Sequence, residues 1–139
     1  MTGTTNFDRL PPSVRSALHE IFGDAVAGVS IIEKSWRVRW HPRAIATTRP
    51  NRIYLRGTIA EFARDPGLVL HVYFHVVNQW APRRLTRLRY VFEWLIRGYV
   101  NNRFEIEARD FEATHQRRFC VLVARAKATA APAADDVNV

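Results

Sequence analysis

Val14, Leu18, Ile21 and Phe22 recur at helical spacing after Leu10-Pro11-Pro12, and Gly23 follows them. Proline is tolerated in a first helical turn and glycine is a natural stop, so the pattern predicts a first helix over this stretch. Val29, Ile31 and Ile32 then lead to Trp36-Arg37-Val38-Arg39-Trp40, which alternates apolar and basic as a half-exposed strand does, up to His41-Pro42. Ala44 to Thr48 and Arg52 to Arg56 read as two further short strands joined by the turn-forming triplet Arg49-Pro50-Asn51. Asp65-Pro66-Gly67 marks a helix start, with Asp65 as cap and Pro66 in the first helical position. From Leu68 to about Trp80 the chain is apolar nearly all round, which requires burial on most sides. Ala81-Pro82 breaks that run. Leu85, Leu88, Phe92 and Leu95 give an amphipathic helix from Arg83 to about Gly98, and Phe104, Ala108, Phe111 and His115 stripe another from Asn101-Asn102 through Arg118.

These elements predict an α+β fold, with a small twisted sheet in the N-terminal half packed against a helical C-terminal half. Length allows one domain, placed at 1–127. The Ala/Pro-rich end, 128–139, with Asp135-Asp136, reads as a disordered tail. A hydrophobic fraction of 47% supports a real core, and no apolar run is long enough to span a bilayer. No basic-then-apolar secretory signal is visible at Met1-Thr2-Gly3-Thr4-Thr5-Asn6, and the one cysteine, Cys120, fits a reducing compartment. The expectation is a cytoplasmic product, with export by a signal-independent machine left open.

The net charge is +8, carried by arginine apart from Lys34 and Lys127. Local concentrations occur at Arg83, Arg84, Arg87 and Arg89 and at Arg117 and Arg118, but they form no single stripe of the kind that marks a nucleic-acid binder. Solvated helix faces are the simpler reading.

Chemistry concentrates in Leu70-His71-Val72-Tyr73-Phe74-His75-Val76-Val77. Histidines four apart stand on one helix face, where their imidazoles can converge on one tetrahedral zinc. Inside an apolar helix each ring needs hydrogen-bond partners, and a shared metal satisfies both; the alternative is a pair of hydrogen-bonded core histidines. Glu105 and Glu107 are the candidates for a third ligand. Two residues apart on a helix they point about 200° apart, so one metal can take only one of them, and periodicity does not choose.

The stretch Ala46 to Glu112 resembles a bacterial family of zincin-like metallopeptidase domains, the minimal gluzincin type often associated with contractile injection systems. The resemblance rests on Ala46-Thr47-Thr48 with Arg52-Ile53-Tyr54-Leu55, on the His-x-x-x-His helix continuing through Val76 to Gln79-Trp80, and on Gly98-Tyr99-Val100-Asn101-Asn102-Arg103-Phe104-Glu105-Ile106-Glu107-Ala108. It implies zinc held by His71, His75 and Glu105, the first glutamate of Glu-x-Glu-Ala, with Glu107 as runner-up. An acid four residues after that ligand is usual in such domains; Arg109 stands there, with Asp110 one place late.

The family motif reads His-Glu-x-x-His, its glutamate acting as general base toward water, and Val72 stands at that position. Valine cannot accept a proton, and loss of a positioned base costs on the order of 10²–10⁴ in rate. Glu107 and Glu112 are the acids left to stand in, and no spacing supports either. The resulting expectation is a zinc-binding, metallopeptidase-like domain impaired or inactive in hydrolysing a peptide or protein substrate. The alternative is a non-catalytic binding module that holds a protein or anionic partner, nucleic acid included, through its basic surface or old cleft. Tyr73 and Tyr99 read as core residues before oxyanion donors, and His115 as a hydrogen-bonded core histidine. His19 and His41 read as surface or strand-end residues, and Cys120 as inert. Were Arg52 to Arg56 an edge strand, an extended peptide could pair with it.

Overall fold

The computed structural model describes residues 6–35, 38, 45–82, 89 and 102–130. Within them the fold is α+β, as the pattern predicts. A short 3₁₀ turn, Asn6–Arg9, leads into α1, Pro12–Phe22, whose end is closed by Gly23 at φ 79° with its N–H donated to His19 O at 2.9 Å. That positive φ is the conformation glycine adopts without a side-chain clash.

Three short strands follow: β1 (Ser30–Ile32), β2 (Ala46–Arg49) and β3 (Arg52–Leu55). β2 and β3 form an antiparallel hairpin, Ala46 opposite Leu55 and Arg49 opposite Arg52, closed by Pro50 and by Asn51 at φ 57°. β1 pairs in parallel with the other flank of β3, Ile31 beside Ile53. The sheet order is therefore β1-β3-β2. The strand at Arg52 to Arg56, considered above as an edge, is the central one, because the parallel partner arrives from the far side of the hairpin. Its backbone has no flank left for a peptide.

Polar side chains lock this layer to its neighbours. Asn6 pairs through its amide with both backbone groups of Ile31. Glu33 pairs with Arg9 and accepts from the Ile59 N–H at 2.9 Å, which opens the short helix α2 (Ile59–Ala63). The backbone hydrogen bond foremost, and Arg9, hold the Glu33 carboxyl below its ordinary pKa despite some desolvation.

Asp65 caps α3 (Pro66–Phe74) by accepting from Leu68 N at 3.0 Å, with Pro66 in the first turn. The predicted single helix to Trp80 changes character at His75: His75–Trp80 is a π-helical turn, closed by Ala81 N–H to Val76 O at 2.9 Å. Such wide turns insert one residue per hydrogen-bonded ring, which hydrophobic periodicity does not register. The last described helix, α4, runs Arg103–Ala130, three residues into the stretch expected as tail. The expected strand at Trp36 to Trp40 lies outside the described residues except for Val38, which is buried, as does the helix at Arg83 to Gly98 except for Arg89.

α4 packs against both α1 and α3. The core between these helices and the sheet includes Leu18, Ile31, Ile53, Leu70, Tyr73 and Phe119, none more than 1% exposed. Each such side chain contributes about 1.5–3 kcal/mol when taken out of water. Among the described residues, no helix is long and apolar enough to cross a membrane.

Candidate metal centre

Asn102 shapes the first turn of α4: its side chain accepts from Phe104 N at 2.9 Å and its carbonyl from Ile106 N at 3.0 Å. Glu105 therefore stands three residues after a cap, where the helix dipole favours a negative charge. Its carboxylate does not fold back on the cap. It reaches α3 instead, with Oε2 3.0 Å from His71 Nε2 and Oε1 3.2 Å from His75 Nε2. The two Nε2 atoms are themselves 3.2 Å apart. Neighbouring donors of a tetrahedral zinc, with bonds of about 2.0–2.1 Å, stand about 3.3 Å from one another, so these separations fit such an ion. His71, His75 and Glu105 form a group with one donor atom each, all within 4.8 Å of one another.

The far nitrogens of both rings are also paired. His75 Nδ1 lies 2.7 Å from Gln79 Oε1, and Gln79 Nε2 donates to Phe104 O at 3.0 Å. The backbone carbonyl fixes the amide: its NH₂ must face Phe104, which leaves its oxygen to accept from His75 Nδ1–H. A neutral His75 then presents a bare lone pair at Nε2 toward the other two groups. His71 Nδ1 lies 3.2 Å from Glu112 Oε2. Gln79, Asn102, His75 and Glu105 are all buried, so these contacts form with little competition from water.

The protons respond to this crowding. Burial would push Glu105 up, but the two imidazoles of His71 and His75 beside it hold its carboxyl well below the usual carboxylate range. Burial pulls His71 down, yet the hydrogen bond and charge of Glu105, then Glu112, outweigh it and raise the ring above its ordinary value. Such a buried cluster could hold a cation.

Glu107, two residues on, is half-buried and outside the cluster, as its direction on the helix requires. Asp110 is exposed. Val72 lies in the apolar core at 3% exposure. Glu112 approaches the Nδ1 side of His71, across the ring from the converging nitrogens, so its placement does not suit a base at the centre. Tyr73 is a core residue, 0% exposed and beside Phe62 and Phe22. His115 is half-buried, with Nδ1 3.0 Å from Phe111 O of its own helix, and stacks on the Phe111 ring. His19 lies 3.5 Å from Asp24, Cys120 is exposed, and His41 and Tyr99 lie outside the described residues.

The pattern reading did not find the pairing roles of Gln79 and Glu112. Their signal was present: Gln79 follows His75 by one turn, and Glu112 follows Glu105 by two, each on the same helix face. No protein-family model matches this chain, and no curated protein or solved structure matches it either.

Proposed function

We propose that this chain is a zinc-binding, metallopeptidase-like domain, impaired or inactive in peptide hydrolysis because valine occupies position 72. The observation that carries the reading is the convergence of His71 Nε2, His75 Nε2 and the Glu105 carboxylate at 3.0–3.2 Å, together with a His75 tautomer that turns its lone pair inward. Three electron-rich groups at that separation repel one another unless a cation lies among them. Two imidazoles and a carboxylate are a familiar donor set for zinc with a further position open. When bound, zinc supplies Lewis acidity: it polarises a carbonyl and lowers the pKa of water toward about 7.

The chain's own residues divide the remaining work. Glu105 ties the first turn of α4 to α3, and Gln79 holds His75 to the backbone of the same turn. Val72 can neither take up a proton nor orient water, and its apolar surroundings offer no substitute. Binding the metal and hydrolysing a peptide are thereby separated: the groups for the first are present, the base for the second is not.

Metal analysis of purified protein tests the reading. One zinc per chain is expected, lost in His71→Ala; substoichiometric zinc that His71→Ala leaves unchanged removes its basis. Val72→Glu should raise peptide hydrolysis well above the parent, and equal rates would show that the site is not built for that reaction.

A further inference from the structure

Glu112 stands two helical turns after Glu105, so both carboxylates leave α4 on the same side, toward α3. One oxygen of Glu112 meets His71 Nδ1 at 3.2 Å. The other lies against the backbone of α3 one turn earlier. A β-carbon at Gly67 would stand 2.5 Å from Glu112 Oε1 and 3.3 Å from its Cδ, with Gln116 Oε1 at 3.5 Å.

Nothing in the backbone asks for glycine at position 67. Its φ is not in the left-handed region, since Gly23 is the one described glycine with positive φ. The cap of α3 is provided by Asp65. Helix propensity argues against glycine there by up to about 1 kcal/mol relative to alanine. What glycine provides is room for the Glu112 carboxylate, which rests where a side chain would be.

We propose that Glu112 is a positioning residue for the metal centre, and that position 67 is glycine in order to admit it. This inference rests on the zinc-binding reading above. An ionised carboxylate can only accept, so Glu112 keeps a proton on His71 Nδ1 and leaves Nε2 to face His75 and Glu105. It also fixes the rotation of the imidazole, as outer carboxylates do for metal-binding histidines. The two rings are thus oriented by different devices, one through a backbone carbonyl and an amide, the other through a carboxylate seated on a glycine.

The test uses the full chain stripped of metal, with zinc affinity read by competition against a chromophoric chelator. Glu112→Ala should weaken zinc binding by about ten- to a hundredfold. Glu112→Gln should recover part of the loss, because its amide oxygen accepts from the same N–H. Gly67→Ala should weaken zinc binding in the parent background and have no further effect once Glu112 is alanine. It should leave the thermal midpoint of the metal-free chain unchanged or raised, since alanine favours helix and the displaced group is the end of a flexible side chain. Affinity and stability then move independently, which a general loosening of the fold would not produce. Zinc affinity in Glu112→Ala within twofold of the parent, or an equal effect of Gly67→Ala in both backgrounds, would overturn the proposal while leaving the metal reading intact. A parent that takes up no zinc at all overturns both.

Discussion

One face of α3 places Val69, Leu70 and Tyr73 in the core at 0% exposure, while the neighbouring face, continued into the π turn, directs His71 and His75 toward the first turns of α4. On the apolar face, shape does the work. Its single polar atom, Tyr73 Oη, is buried and finds no hydrogen-bond partner among the described residues. On the polar face all four ring nitrogens have partners, and one of those partners, Gln79, is itself held by the carbonyl of Phe104. One helix thus carries a packing surface that ignores an orphaned hydroxyl and a cluster that leaves no ring nitrogen unpaired. The lesson is that the packing face should govern stability without governing metal affinity, although the two faces are less than one turn apart.

Truncating the apolar face should give the largest effect on stability. Leu70→Ala should lower the unfolding free energy of the metal-free chain by about 2–5 kcal/mol, measured by urea denaturation, and the folded protein should still take one zinc. A lost zinc site would mean that the two faces are not separable.

A pH series sharpens the contrast from the other side. Glu105, with its pKa depressed, contributes stability above its unfolded value of about 4.3 and loses it as pH falls through the lower folded value. His71, with its pKa raised, contributes fully below about 6.5 and loses that contribution as pH rises through the higher folded value. The metal-free chain should therefore be steadiest between these limits, with a decline on the alkaline side that Glu105→Gln flattens. In the proposed site zinc would displace the His71 proton, so its affinity should climb over the range where the metal-free chain weakens. A thermal midpoint flat across that alkaline range would show that the cluster does not hold a proton in the absence of metal.

The smallest effect belongs to the orphaned hydroxyl. Tyr73→Phe removes a buried group that makes no hydrogen bond among the described residues, and should change stability by no more than about 1 kcal/mol, in the stabilising direction, with zinc affinity unchanged. A clear destabilisation would reveal a partner for Tyr73 Oη.

The parts of this fold that were legible in the sequence are those governed by local chemistry. Gly23 ending α1, Asp65-Pro66 opening α3 and Pro50-Asn51 closing the hairpin each act within a few residues, and each stands where the pattern placed it. Sheet order was not legible, because β1 pairs across more than twenty residues with the second strand of a hairpin, and no spacing encodes which flank it takes. The π turn escaped because its extra residue per ring leaves an all-apolar run looking the same. At the site, the histidine pair could be read from spacing alone, while the resemblance was needed to rank Glu105 over Glu107. The capped start of α4 turns Glu105 toward the rings, and Glu107 lies outside the cluster. Gln79 and Glu112 were hidden by their ordinariness: a glutamine and a glutamate on helices are expected to be solvated.

Asn6 has a consequence at the edge of the sheet. Ile31 is the residue whose N–H and C=O point away from β3 in the middle of β1, and the Asn6 amide occupies both. A foreign strand arriving on that flank would find its docking rungs taken. Lateral growth of the sheet across β1, whether into a dimer or an aggregate, is thereby discouraged.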